Sequence, residues 1–366
     1  MLVQDDGTTG TGTIGEFTGQ TDSSPLGLGY LSSGTYVYIE DITTGPAAGA
    51  LISFDRDLVN AARFSILLTP ANAQTVTGAS AIVDLESLAV DPPTDDIYVL
   101  VREPVSGALY IIRIPSLGLG TDTFGAPVVF ADTVGMPNYI GGNAPAMTID
   151  TTTSPRSVLF TRDQTSPNDD NGGNGIYRRS FSLAPTDPSV QLMTFVQLST
   201  GTTPLTPNGS AMGYRSLAVI KAGPQAGNIV TNNSVGTGSA NGDNVIWNVT
   251  SSTASIFVEA LGTGRTPILS CNNGDIVMWA ATAASEDLIR YISDSGTGVV
   301  RHVVATDAQL TAAGPSIPAN LAEQAVGIAT NGISTFGIFS SADNRETLFE
   351  IVDPTVPVEL SAFGND

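Results

Sequence analysis

One short pattern recurs along this chain, and it leaves few folds open. Five segments carry it: Glu86-Ser-Leu-Ala-Val-Asp91, Pro145-Ala-Met-Thr-Ile-Asp150, Arg215-Ser-Leu-Ala-Val-Ile220, Thr266-Pro-Ile-Leu-Ser-Cys271 and Ala325-Val-Gly-Ile-Ala-Thr330. Each is a run of small and apolar residues, too short for a helix and suited to a strand packed on both sides. A turn follows each one, as at Pro92 to Asp95, Thr152 to Pro155, Gly223-Pro224, Asn272 to Gly274 and Asn331-Gly332. Then comes a second apolar strand, at Ile97 to Val101, Ser157 to Thr161, Asn228 to Thr231, Asp275 to Ala280 and Thr335 to Ser340. A polar loop leads to a third strand, such as Ala108 to Ile114 or Gly175 to Phe181, and a fourth is visible at Ala126 to Ala131 and Ser255 to Glu259. An earlier copy fits the same plan, with Gly27 to Leu31, a turn at Ser32 to Gly34, Thr35 to Ile39 and Ala50 to Phe54. Equivalent starts at 27, 86, 145, 215, 266 and 325 give steps of 59, 59, 70, 51 and 59 residues.

Such a unit cannot bury both of its faces alone, so its copies must pack on one another. Four-stranded units repeated radially close into a ring that leaves few exposed edges. The expected fold is therefore all-β, a β-propeller of about six four-stranded blades over residues 27–363. A pair of β-sandwiches would explain the alternation but not the recurrence of one strand order. Residues 1–26 form a Gly/Thr-rich N-terminal segment. Thr13 to Thr18 and Val358 to Phe363 would make a seventh blade if they shared a closing sheet. Helical signals are nearly absent, and Ile317 to Gln324 is the one stretch read as a short helical turn.

Composition narrows the partners. Lys and Arg number 14 against 35 Asp and Glu, for a net charge of −21. That field repels phosphate backbones and anionic lipid, so nucleic acid and bare membrane surface are poor partners, and no nucleic-acid binding or membrane insertion is expected. A protein or a glycan is the expected partner, and the chain is expected to be a monomer. No stretch approaches the roughly 20 apolar residues of a membrane helix. The first fifteen residues lack the basic start and apolar run of a signal peptide. Scarce lysine and the Gly/Thr spacer favour an exported protein, extracellular or on the cell surface, whose leader lies outside this sequence. A single cysteine, Cys271, leaves no intramolecular disulfide, and a single histidine, His302, leaves no His-based triad; both read as strand residues. Trp247 and Trp279 read as core rather than as a sugar platform.

The stretch from Asp84 to Glu103 (Asp84-Leu-Glu86-Ser-Leu-Ala-Val-Asp91 through Tyr98 to Arg102-Glu103) resembles blades of the NHL/YVTN propellers, and most of all the esterase-like phytases. That resemblance implies loop carboxylates holding calcium, and in some members phosphoester hydrolysis. It covers one blade. The other copies carry Asn143/Pro145, Gly213/Arg215, Gly264/Thr266 and Glu323/Ala325 where this one has Asp-x-Glu. The run Pro357-Val-Glu-Leu-Ser-Ala-Phe363 resembles the segment that opens the C-terminal part of type IX-secreted bacterial proteins, which also implies export.

In a ring of this kind, ligands meet the loops at one end of the channel. Aligning the second strands brings their ends to one mouth: Glu40 and Asp41, Arg102 and Glu103, Arg162 and Asp163, Asn232 and Asn233, and Asp343. Glu40, Asp41, Arg102, Glu103, Arg162 and Asp343 are the candidate ligand-binding residues, and no catalytic residue is assigned. Asp84 and Glu86, with Asp163, Asp169 and Asp170 of the oxygen-rich loop, are the candidate metal ligands. Calcium takes six to eight such oxygens; the plainer reading is a solvated loop with Arg102 and Arg162 neutralising their acidic neighbours. Three functions follow as expectations: an exported binding or structural module, possible to stabilise with calcium and without catalysis; a calcium-dependent hydrolase of phosphoesters or glycosides; or a virion or appendage component.

Overall fold

The computed structural model describes residues 2–4, 27–39, 48–55, 64–137, 145–162, 173–194, 197, 212–213, 216–232, 234–235, 244–258, 268–282, 285–293, 299–305, 325–330, 334–340 and 346–352. These residues form six four-stranded antiparallel sheets and a separate two-stranded pair, Met212–Gly213 with Ser234–Val235. Blade 1 runs Leu28–Tyr30, Thr35–Ile39, Leu51–Asp55, Phe64–Leu68, from the inside outward. Blade 2 runs Asp84–Asp91, Asp96–Arg102, Leu109–Ile114, Val128–Ala131. Blade 3 runs Met147–Asp150, Ser157–Arg162, Gly175–Ser180, Val190–Thr194. Blade 4 runs Leu217–Val219, Ile229–Asn232, Asn244–Asn248, Thr253–Val258. Blade 5 runs Ile268–Ser270, Ile276–Thr282, Ser285–Ser293, Val299–Ala305. Blade 6 runs Ala325–Thr330, Ser334–Ser340, Glu346–Val352, and its fourth strand is Leu2–Gln4, from the other end of the chain.

The innermost strands of successive blades touch in order, and the sixth touches the first. That circuit makes the molecule a β-propeller. The segments Thr13 to Thr18, Val358 to Phe363 and Ile317 to Gln324 lie outside the described residues.

Each wedge between blades is an apolar layer, and the middle strands supply both of their neighbours. In Asp96–Arg102, Ile97, Val99 and Val101 enter the cluster shared with blade 1, while Tyr98 and Leu100 enter the one shared with blade 3. A strand buried on both faces reads as a continuous apolar run, which is how these segments look in sequence. Burying a side chain of this size contributes roughly 1.5–3 kcal/mol. Trp247, 2% exposed, belongs to the core between blades 3 and 4. Cys271, just past the inner strand of blade 5, is buried and forms no disulfide.

One position fixes how closely the inner strands approach. A Cβ on Gly29 would lie 2.6 Å from Val90 Cγ2 and 2.7 Å from Val37 Cγ2. Carbon atoms prefer about 3.5–4.0 Å, so blades 1 and 2 meet here only because the side chain is absent.

Two features depart from the sequence reading. The first is a helix, α1 (Pro70–Thr77), between blades 1 and 2. Its N-cap Thr69 accepts a hydrogen bond from the Asn72 amide, Pro70 sits in its first turn, and Gly78 ends it at φ 69°. Thr, then Pro, then a left-handed Gly is a helix signature, but eight residues are too short for a clear apolar period. The second is Arg179, a fully buried arginine in the third strand of blade 3. Its guanidinium donates to the carbonyls of Phe130 at 3.2 and 3.3 Å, Ala184 and Asp187, and lies 5.5 Å from the Phe130 ring centroid. Phe130 is in the outermost strand of blade 2, so this side chain ties two blades together. Burial pulls its pKa below the usual arginine value.

Candidate functional site

The antiparallel ladder of blade 2 puts the start of its inner strand beside the end of its second strand, with Asp84 opposite Arg102. Glu86 is the extra residue of a β-bulge between Leu85 and Ser87, a device that re-aims a side chain at a sheet rim. Arg102 Nε donates to Glu86 Oε1, and Arg102 Nη2 lies 3.3 Å from Asp84 Oδ2. Glu86 is buried, while the Asp84 side chain is half exposed. The guanidinium thus fills the place between the two carboxylates that a cation would take, and this pair does not fit calcium. Among the described residues, no three His, Cys, Asp or Glu side chains converge as metal ligands. Asp163, Asp169 and Asp170 lie outside the described residues, as do Glu40, Asp41, Asp343, Asn143 and Glu323.

Glu103 is taken up by neighbouring turns. Its carboxylate accepts from Ser80 Oγ at 2.6 Å, from the Ala81 amide at 2.8 Å and from the Ser106 hydroxyl. The Ser106 and Ser80 hydroxyls hold its pKa below the ordinary carboxylate range. Its role is to pin two turns of blade 2. Arg162 is buried and donates to Asn174 Oδ1 at 3.4 Å.

Register separates Arg102 from Arg162. Asp91 pairs with Asp96 in blade 2, and Asp150 with Ser157 in blade 3. Counting from those pairs, Arg162 corresponds to Val101, one residue short of Arg102. A one-residue step in a strand reverses the face. Arg102 therefore leaves blade 2 on the side of Leu100, toward blade 3, whereas Arg162 leaves blade 3 on the side of Phe160, toward blade 2. The two belong to facing walls of one wedge and are not equivalent points of a ring.

The inner strands enclose a small cavity on the central channel. Its volume is about 170 Å³, and every blade contributes, with Gly29, Ala89, Thr148, Ala218, Leu269 and Ala329 among its walls. Lys221 stands near one rim, 3.3 Å from Asn272 Oδ1 of the next blade.

Ionisable groups gather at the other end of the blades, where inner strands turn into second strands. Asp91, at the end of the blade 2 inner strand, is fully buried and pairs across the wedge with Arg156 Nη2 of blade 3 at 2.9 Å. Its Oδ2 also accepts from Thr94 Oγ1 at 2.7 Å, while its Oδ1 is buried with no partner among the described residues. Burial pushes the Asp91 pKa up, against the Thr94 hydrogen bond and Arg156. Asp95 reaches the opposite way, accepting from the Ser32 amide and hydroxyl of blade 1 and from the Gly120 amide at 2.9 Å. Asp96 holds Arg113 at 2.7 Å, and Asp150 holds Arg178 at 3.1 Å. Tyr98 lies among these groups, stacked on Phe181 with centroids 5.0 Å apart, and burial raises its phenol pKa. Arg156 covers the Phe181 ring at 5.5 Å. The sequence reading passed over this cluster. Its only signal was an Asp closing the inner strand in two copies, Val90-Asp91 and Ile149-Asp150.

No protein-family profile and no curated protein matches this chain. Solved structures do. A Hadza microbial sialidase, Hz136, superposes over 91% of this chain and 66% of its own, at 10% identity and a TM-score of 0.52. The chain thus spans just under two thirds of that protein's length. The WD40 propeller domain of Doa1 matches over 90% of this chain and 94% of its own, at 11% identity and a TM-score of 0.42. An exo-1,5-α-L-arabinanase from a bovine ruminal metagenomic library covers 77% of this chain and 99% of its own, at 9% identity and a TM-score of 0.42. At such identities the likeness is one of fold: the chain is a β-propeller.

Proposed function

We propose that this protein is an exported propeller that acts as a binding module and catalyses no reaction of its own. One observation carries the reading. The described charged groups in the positions where chemistry would be sought are committed to structure: Arg102 between Asp84 and Glu86, Asp91 to Arg156, and Asp95 to Ser32 and Gly120. Such pairs make a rigid ring whose loops can present a surface. The net charge of −21 supports a neutral or basic partner. Export rests on the scarcity of lysine and the Gly/Thr-rich start; its check is immunodetection on intact cells against lysate. The test of the activity is a panel of phosphoester and glycoside substrates assayed with added calcium. No turnover above the buffer rate is expected, and turnover abolished by Glu86→Gln overturns the proposal.

A further inference from the structure

Blades 1 to 5 share a bulge in their outermost strand. In blade 2, Ile111 pairs with Ala131 and Ile112 with Val129, so Phe130 is the extra residue. The same step of the ladder is bulged in blades 1, 3, 4 and 5, with Leu67, Leu192, Phe257 and Val304 as the extra residues. A bulge bends its strand and re-aims a side chain. Here the re-aimed side chains are anchors: Leu67, Phe130, Leu192 and Phe257 each join the apolar core shared with the next blade.

Blade 6 differs. Its Thr335 faces Thr330 at the inner turn as Asp96 faces Asp91 in blade 2. Counting from there, Thr347, opposite Phe339, corresponds to Ile111, opposite Leu100. Thr347 and Leu348 therefore occupy the bulged step, yet they pair with Gln4 and Val3 in unbroken succession. The strand that completes blade 6 lacks the bulge of the others and is held by a three-residue ladder. In the other five sheets the fourth strand follows the third along the chain, whereas Leu2–Gln4 is joined to blade 1 through residues 5–26. A linker of that length reaches up to about 75 Å, against a radius of gyration of about 21 Å for a compact chain of 366 residues.

We infer that the fourth-strand place of blade 6 is a strand-exchange site whose partner is a second copy of this chain. Each copy lays its Leu2–Gln4 against Glu346–Val352 of the other. The swapped pair keeps every ladder and wedge contact of the single copy, so those contacts do not separate the two forms. Concentration does. A copy's own strand is present at an effective concentration of millimolar order, and exchange gains ground as the concentration of chains approaches it. The inference goes beyond the binding-module reading and does not depend on it.

The test is a disulfide trap. Val3→Cys and Leu348→Cys, combined with Cys271→Ser, put thiols on directly opposed residues, and the Cα separation of about 4.5–5.5 Å between such residues suits the bond. The reduced protein is equilibrated, diluted and oxidised, and the products are separated without reductant. The covalent dimer should rise from roughly one chain in a hundred at about 10 µM to about half at about 1 mM. Arg113→Cys with Val128→Cys, an opposed and partly exposed pair in blade 2, should give only the internal bond at both concentrations. Inserting a leucine between Val3 and Gln4 copies the bulge and should slow exchange between differently tagged copies at least tenfold. Small-angle scattering of the unmodified chain at about 1 mM is an independent check: a dimer is expected, and Val3→Pro, which removes a ladder donor, should abolish it. Internal bonds alone at every concentration, a blade 2 pair that also joins copies, an exchange rate indifferent to the insertion, or a monomer by scattering overturns the site. Glycoside or phosphoester turnover removed by Glu86→Gln overturns the binding-module reading instead and leaves this one standing.

Discussion

Gly29→Ala adds one methyl group at the tightest point between blades 1 and 2. The new Cβ would sit 2.6 Å from Val90 Cγ2, 2.7 Å from Val37 Cγ2 and 3.1 Å from Leu88 Cδ1. Relief requires a shift of about 1 Å to reach ordinary carbon contact. Both valines are β-branched and stiff at χ1, so rotation offers little escape. Overpacking of this size costs roughly 1–3 kcal/mol. The φ of Gly29 lies outside the left-handed region, so alanine adds no backbone strain. It also restricts the unfolded chain, which returns about 0.4–1 kcal/mol. The net loss is then about 1–2 kcal/mol, or roughly 1–3 °C in melting temperature for a cooperative unit of this length. Val90→Ala removes the nearer methyl, at its own cost in cavity. In the double variant the clash is gone, so the two losses should fall short of additivity by about 1 kcal/mol. Thermal melts of the four proteins decide it. A single variant as stable as wild type, or losses that simply add, would refute the claim that close approach, and not backbone freedom, selects glycine here.

Two further predictions concern charge. Arg179→Met should destabilise the protein by about 2–4 kcal/mol, since several charge-assisted bonds of roughly 1.5–3 kcal/mol each are lost and relief of guanidinium desolvation offsets part; a denaturant midpoint equal to wild type refutes the latch. For Asp91, burial raises the folded pKa above the ordinary value of 3.8, so the unfolded chain releases that proton first as pH rises. Its contribution is therefore fully present below the ordinary carboxylate value and is lost as pH climbs through the folded one. Wild type should lose ground to Asp91→Asn across that rise, then run parallel to it at neutral pH; the opposite slope in pH-dependent melts refutes the assignment.

Much of the ring was legible because its inner strands obey a local rule. Gly27, Glu86, Pro145, Arg215, Thr266 and Ala325 fall within two residues of observed strand starts, since strands buried on both faces leave uninterrupted apolar runs between turns. The cross-blade bonds were not legible. Arg179 reads like any strand arginine, and nothing in Arg178-Arg179 says which one is buried; that depends on which face meets Phe130. Arg102 and Arg162 looked equivalent because each ends its strand beside an acidic residue, yet a single residue of register sends them to opposite faces. Helix α1 was missed for the reverse reason, as its caps at Thr69 and Gly78 were present but its apolar period was not.

Among the described strands, the fourth strand of blade 6 precedes all the others in sequence, and the three that complete its sheet follow all the others. Gln4 must wait for Thr347. Until then the five earlier blades form an open horseshoe, with a greasy face bare at each tip. Drawing the tips together across some 340 residues costs about 5 kcal/mol of chain entropy, and a three-residue ladder offsets only part of it. The remainder comes from the wedges on either side of blade 6, so the last blade seals two interfaces at once. A partly folded ring is therefore most exposed to aggregation and proteolysis until blade 6 is complete.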